Sequence, residues 1–370
     1  MKVIALATPR NSILALDLVR GFAAIEVMLT HLRGGNWVEF GALPTSQRTS
    51  VVELFFLSTR LGHEAVLIFF VLSGFLVGGN LISRLRAGRF SIADYAIDRG
   101  TRILIPLVPA CVLTVSINLG IFSDAVGALQ AVGNVFGLNG VLVDTLPRNA
   151  PLWSLAYEIW FYVLAGAVAA IFTGKTGPLA LMAILFAALV FAKLGALYVL
   201  FWSFGALTAQ MRCHSTLARR QCLVGLAMVA LGLIAYQLGA TSKSFSNIVL
   251  LSPAHAETLI CLGFCASIPA LDGNWVNQAL APAGNVIRFI SQISFSLYLI
   301  HDPINAWLCV LLPKSDKIDP VSIGAFFVKM AACLLAAYVF WLLFERTSFA
   351  VRRAIKASLR VGHAEEIGAV

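Results

Sequence analysis

The chain has 370 residues and a formal net charge of +9. Of its residues 59% are hydrophobic and only 12% are charged, with a mean hydropathy of +0.87. Average soluble chains carry about twice that share of charge, so a soluble globular domain is excluded and an all-α, polytopic membrane protein is expected.

Taken in chain order, apolar windows place about ten transmembrane helices near 14–32, 65–82, 103–122, 153–172, 178–194, 196–211, 222–239, 256–271, 287–311 and 323–344. The first twelve residues are basic, but no small-residue cleavage site follows, so 14–32 reads as a retained span. Stretches 51–58 and 125–143 read as interfacial or re-entrant segments. Internal repeats and flexible linkers are absent from the sequence. The whole of 1–370 therefore reads as one integral-membrane domain with no separate soluble domain. Basic residues cluster on alternate connections: Arg84, Arg86, Arg89, Arg99 and Arg102, then Lys175, then Arg212, Arg219 and Arg220, then Arg288, then the tail from Arg346, with Arg33, Arg48 and Arg60 of the loop 33–64 as the exception. Cytoplasmic loops collect Lys and Arg, which puts both termini in the cytoplasm and agrees with an even span count.

The first span carries Asp17, Arg20, Glu26 and His31. Charge in a hydrocarbon core is costly and marks a site by default. Arg20 and His31 share a face, eleven positions and roughly 16 Å apart along the axis. Asp17 lies near that face and Glu26 points away. In the second span His63 and Glu64 stand at the outer mouth, while Ser73 and Gly74 sit mid-span, where small residues allow close helix approach. Before the third span, Ser91 and Asp94 make a capping-box-like start to a short helix that carries Arg99 and Arg102 on one face. Guanidinium forks suit phosphates. The fourth span opens with Trp153, Ser154, Tyr157, Glu158 and Tyr162; Ser154, Glu158 and Tyr162 share one face. The ninth holds a polar stripe of Ser291, Ser294, Tyr298, His301 and Asn305, with Pro303 just beyond His301. Such a stripe must face protein or water. No cysteine pair has metal-type spacing, and no metal site is expected.

In order, Leu16-Asp17-Leu18-Val19-Arg20-Gly21 with His31, Phe69-Phe70-Val71-Leu72-Ser73-Gly74-Phe75, Arg99-Gly100-Thr101-Arg102 with Pro106, Trp153 through Tyr162, and Ser294 through His301 resemble acyltransferase family 3. These are bacterial integral-membrane O-acyltransferases that modify polysaccharides and other hydroxylated molecules. The resemblance covers about 14–346, and departs at Thr347, where the family usually has proline. It implies an enzyme of the bacterial inner membrane that moves an acyl group, commonly acetyl, from acyl-CoA to a hydroxyl acceptor, acting alone or with a separate partner.

On that resemblance, acyl-CoA is a co-substrate and no bound cofactor is expected. Arg99 and Arg102 would hold its phosphates, helped by Arg84 and Arg86. His31 would be the general base or a transiently acylated nucleophile. Glu158 would hold the imidazole tautomer or bind acceptor, and Arg20 would position the pantetheine arm or its thioester. Tyr298 or Ser73 would steady the oxyanion. Asp17, His63, Trp153, Ser154 and His301 would complete the acceptor pocket. The rival from another class is a proton-coupled transporter or flippase for a glycan or lipid-linked precursor, against which stands the lack of paired repeats. A haem bound between His31 and His301 is a more remote rival. Neither nucleic-acid binding nor a particular oligomeric state is implied.

Overall fold

The computed structural model describes residues 13–174, 177–211, 215–241, 251–271 and 273–368. The basic first twelve residues, Lys175 and Arg212 lie outside the described residues. The elements are α1 (Leu14–Asn36), α2 (Ser50–Ser58), α3 (Gly62–Ser73), α4 (Gly79–Arg86), α5 (Ile92–Ile121), α6 (Ala128–Val135), α7 (Leu152–Phe172) and α8 (Pro178–Leu194). They continue as α9 (Leu197–Thr208), α10 (Ser215–Thr241), α11 (Pro253–Leu271), α12 (Asn274–Leu280), α13 (Gly284–Leu311), α14 (Pro320–Phe340) and α15 (Ser348–Gly368). Among the described residues there are isolated β-bridges but no strand.

Seven helical stretches are long and apolar enough to cross a membrane, or eight if the bent pair α8 and α9 counts as one span. Helix α1 falls outside that set because Asp17, Arg20, Glu26 and Arg33 leave at least three charges in any eighteen residues of it. The expected spans 178–194 and 196–211 are α8 and α9, which bend by 119° across their break and so make at most one crossing together. Gly195 sits at the break with φ +106, a backbone position that glycine reaches without steric cost. Ser91 caps α5 through its Oγ, accepting from the Asp94 N–H at 3.3 Å. The expected short helix and third span are one helix of 30 residues that runs on through Pro106 and Pro109.

The chain divides into two compact units. The first comprises 1–22 and 211–292. Its main contact is α10 against α11, brought to backbone distance by Gly225 and Gly263: a Cβ on Gly225 would fall 2.4 Å from the Gly263 carbonyl oxygen. Small residues at helix crossings replace the hydrophobic drive that lipid removes.

The second unit comprises 23–210 and 293–370. Helices α3 and α4 are joined through a π-helical turn, Gly74–Gly78, packed on α9. A Cβ on Gly74 would lie 1.9 Å from the Trp202 carbonyl oxygen, and one on Gly205 2.1 Å from that of Val71. The Ser73-Gly74 motif is thus a packing joint as well as a source of a hydroxyl. The stretch between α6 and α7 is an irregular, partly buried loop, and its inward backbone groups need internal partners. Buried asparagines supply them: Asn118 Nδ2 donates to Pro147 O at 3.0 Å, Asn134 Oδ1 accepts from Leu146 N at 3.1 Å, and Asn139 Nδ2 donates to Leu152 O at 3.0 Å.

Candidate active site

In the second unit the C-terminal part of α1 meets α13. His31 Nδ1 lies 3.4 Å from Asp302 Oδ1. Asn305 Nδ2 donates to the His31 carbonyl oxygen at 3.2 Å, which fixes the two helices in register here. The His31 ring lies edge-on to His301 with centroids 5.2 Å apart. His301 is fully buried and its Nδ1 donates to Leu297 O at 2.9 Å. A carbonyl only accepts, so Nδ1 carries the proton and Nε2 holds a lone pair. That Nε2 is buried and has no hydrogen-bond partner.

Asp302 is held from a second direction. Its Oδ2 accepts from the Ala150 N–H at 2.9 Å. Pro303, next in sequence, has no N–H and leaves the Leu299 carbonyl without its helical donor. Asn149 Nδ2 supplies the missing bond at 3.0 Å and also donates to Thr114 Oγ1 at 2.9 Å. The loop before α7 therefore docks where the proline opens α13. Helix α13 stays continuous through Pro303 rather than ending there.

The polar face expected on α7 is present. Ser154 Oγ and Tyr298 OH are 2.5 Å apart, and Tyr298 OH donates to Pro151 O at 2.9 Å. Tyr162 OH donates to Glu158 Oε1 at 2.5 Å. Ser73 Oγ donates to Glu158 Oε1 at 3.4 Å and accepts from Trp202 Nε1 at 3.2 Å. The hydroxyl protons of Tyr298 and Ser73 are thus directed at protein acceptors. Glu158 works with Tyr162 and Ser73, and the carboxylate beside His31 is Asp302.

The four arginines expected to bind phosphate separate by partner. Arg102 pairs with Glu345 at 2.8 Å, and Glu345 also accepts from the N–H and Oγ of Ser296. Arg84 lies 3.7 Å from Asp98, which also takes Lys356 at 2.7 Å and Arg352 at 3.8 Å from α15. Arg86 donates to Gln210 at 3.0 Å. Arg99 lies over the Tyr162 ring at 5.6 Å, and its buried Nε has no acceptor. It lines an apolar cavity of about 570 Å³ between α5, α6, α7 and α8, within the size range of ligand pockets. A second recess of about 470 Å³ is walled by His63, Trp153, Tyr157 and Tyr198 beside the α8 and α9 break. His63 and Trp153 stack there at 5.8 Å and 15°.

Arg20 and Asp17 belong to the first unit. Arg20 donates to Asp17 Oδ1 at 2.8 Å and through Nε to Ser291 Oγ at 2.8 Å, while Ser291 donates to Asp17 at 2.9 Å. This part-buried ion pair with a shared hydroxyl engages both side chains within the unit.

Sequence reasoning overlooked Asp302, Asn149 and Glu345. Asp302 stands next to His301 and was open to suspicion as an acid inside an apolar run. Asn149 sits in a loop with no periodicity to expose it. Glu345 drew notice only as part of the last helix's exit, where Thr347 replaces proline; the helix passes through a π-helical turn, Trp341–Glu345, and α15 follows.

No curated protein and no solved structure matches the chain. A family model described as an acyltransferase domain matches residues 13–343. That match takes in His31, Asp302, the α7 face and the arginines of α5, and the chain therefore belongs to this family, acyltransferase family 3, and is an acyltransferase.

Proposed function

We propose that the protein moves an acyl group, acetyl by preference, from acyl-CoA on the cytoplasmic side of a bacterial inner membrane to a hydroxyl of a carbohydrate or other hydroxylated acceptor. The observation that carries this reading is the His31–Asp302 contact. A carboxylate against Nδ1 fixes the tautomer and leaves Nε2 of His31 with a lone pair, on a side chain 30% exposed. This is the arrangement needed by a base or a nucleophile. Polar contacts of 3.4 Å are common in resting sites and tighten around substrate.

The donor's phosphates are assigned to Arg99, whose buried Nε lacks an acceptor that a phosphate oxygen would provide. Arg84, Arg86 and Arg102 add positive potential from paired positions. The polar face from Tyr162 through Glu158 to Ser154 covers eight residues of α7, roughly 12 Å, and carries the donor's pantetheine arm towards Tyr298 and the histidines. The recess of His63, Trp153, Tyr157 and Tyr198 takes the acceptor, since aromatic faces stack on sugar rings.

The test is reconstitution of the full chain in vesicles with radiolabelled acetyl-CoA and glycan acceptors. Label passing to an acceptor supports the reading. Uptake of intact solute with no labelled product overturns it. His31→Ala is expected to lower transfer by at least about 10²-fold, with the variant still folded by gel filtration; full transfer by that variant removes His31 from the mechanism.

A further inference from the structure

The two histidines at this site are anchored alike at Nδ1, and one of them has no task in the reading above. His31 and His301 each have Nδ1 against a fixed acceptor, Asp302 Oδ1 and Leu297 O respectively. In the neutral ring each therefore carries its lone pair on Nε2, the distal ring nitrogen. The rings are 5.2 Å apart, edge to face. His301 is fully buried, and its Nε2 is one of the few buried polar atoms among the described residues without a partner. An unsatisfied buried acceptor is expensive and calls for a ligand group to donate to it.

We infer that His31 and His301 divide the reaction: His31 is the nucleophile that carries the acyl group, and His301 is the general base that deprotonates the acceptor hydroxyl. This rests on the acyl-transfer reading and deepens it. In the first step His31 Nε2 attacks the thioester carbonyl, the carbon–sulfur bond breaks, and CoA leaves as thiolate. The acyl-imidazolium left on His31 keeps its Nδ1 proton, and Asp302 stabilises that positive charge. In the second step the acceptor hydroxyl gives its proton to His301 Nε2 while its oxygen forms the ester bond. His31 departs as neutral imidazole, so its tautomer is restored. The imidazolium of His301 then returns its proton to solvent or to the CoA thiolate, and the balance closes as thioester plus alcohol giving ester plus thiol. Base and nucleophile cannot be one group in this scheme, because the acylated Nε2 has no lone pair.

The arrangement separates two half-reactions, so it can be tested by trapping. The full chain in detergent is mixed with radiolabelled acetyl-CoA, quenched at neutral pH, and examined for label on protein by intact mass and by release with hydroxylamine. Discharge is then followed in water and in concentrated glycerol as the hydroxyl donor. Wild type is expected to show a transient acyl-protein, and His31→Ala none. His301→Gln and His301→Ala are expected to acylate at near wild-type rate but to discharge about 10²–10⁴-fold more slowly. Added imidazole restores discharge to His301→Ala.

The inference is overturned if wild type turns over without labelled protein. It is also overturned if either His301 variant discharges at the wild-type rate, or if His301→Gln fails to acylate while remaining monodisperse. His301→Gln retains a polar group of similar reach, so it stands as the test should the alanine variant fail to fold. Absence of any acetyl-CoA consumption by wild type would instead count against the acyl-transfer reading itself.

Discussion

Asp302 receives its two partners from opposite parts of the chain, His31 on α1 and the Ala150 N–H before α7. In the proposed mechanism its charge stabilises cation on His31 and its geometry sets the tautomer. Asp302→Asn keeps the shape but presents an amide that can offer a donor to Nδ1 and favour the wrong tautomer. We expect kcat to fall about 10²–10⁴-fold with KM for acyl-CoA little changed, measured by steady-state transfer. Arg99→Gln is expected to do the reverse, raising KM for acyl-CoA at least about 10-fold with a smaller effect on kcat. Part of this was legible beforehand. His31 stood out because a histidine near the end of a charged span is costly, and Ser154, Glu158 and Tyr162 because their spacing is helical. Asp302 lies one position from His301, about 100° around α13, so a stripe read at three- and four-residue spacing passes it by. The partners of Arg84 and Arg102, Asp98 and Glu345, became visible only in three dimensions, because ion pairing between distant segments leaves no local pattern.

At the scale of elements, the crossings that position Ser73 and Trp202 depend on glycine. Gly205→Ala would drive a methyl to 2.1 Å from the Val71 carbonyl, where backbone and not a pliable side chain must yield. We expect a loss of roughly 1–3 kcal/mol, read as a lower midpoint in thermal unfolding in detergent, together with reduced activity as Ser73 moves from Glu158. The start of α14 offers a pH-dependent counterpart. Asp319 forms a capping box with Ser322, and the backbone N–H of Ser322 holds its carboxyl below the usual range. The folded value is the lowered one, so the contribution is present above the ordinary carboxylate pKa and is lost as pH falls through the depressed value. Asp319→Asn should flatten that acid limb of the stability profile. The α8 and α9 elbow shows why span counting from windows overshoots. Each window is apolar enough for a crossing, and nothing in hydropathy encodes the 119° turn at Gly195.

For the whole molecule, the arrangement of charge gives the orientation to be tested. Arg84 and the basic residues of α15 converge on Asp98, so α4, α5 and α15 present one common basic end. On the positive-inside bias that end is expected to face the cytoplasm. Single cysteines placed at Arg89 and at Lys314, in a chain cleared of its own cysteines, should label from opposite sides of intact cells with a membrane-impermeant maleimide. Labelling of both from the same side would reject the orientation. Composition alone was sufficient for the class, because 12% charge leaves a helical membrane protein as the one physical solution for a chain of this length. The division into two units had no sequence signal, since neither a linker nor a compositional shift marks its boundaries at 22, 210 and 292.

The hydrogen bond between Asn305 and the His31 carbonyl joins residues 274 positions apart. Helix α1 therefore waits for α13 during synthesis before its histidine gains a carboxylate. At ribosomal rates of about 5–20 residues per second, that interval is roughly 14–55 s. During it His31 stands without the carboxylate that neighbours it in the finished fold.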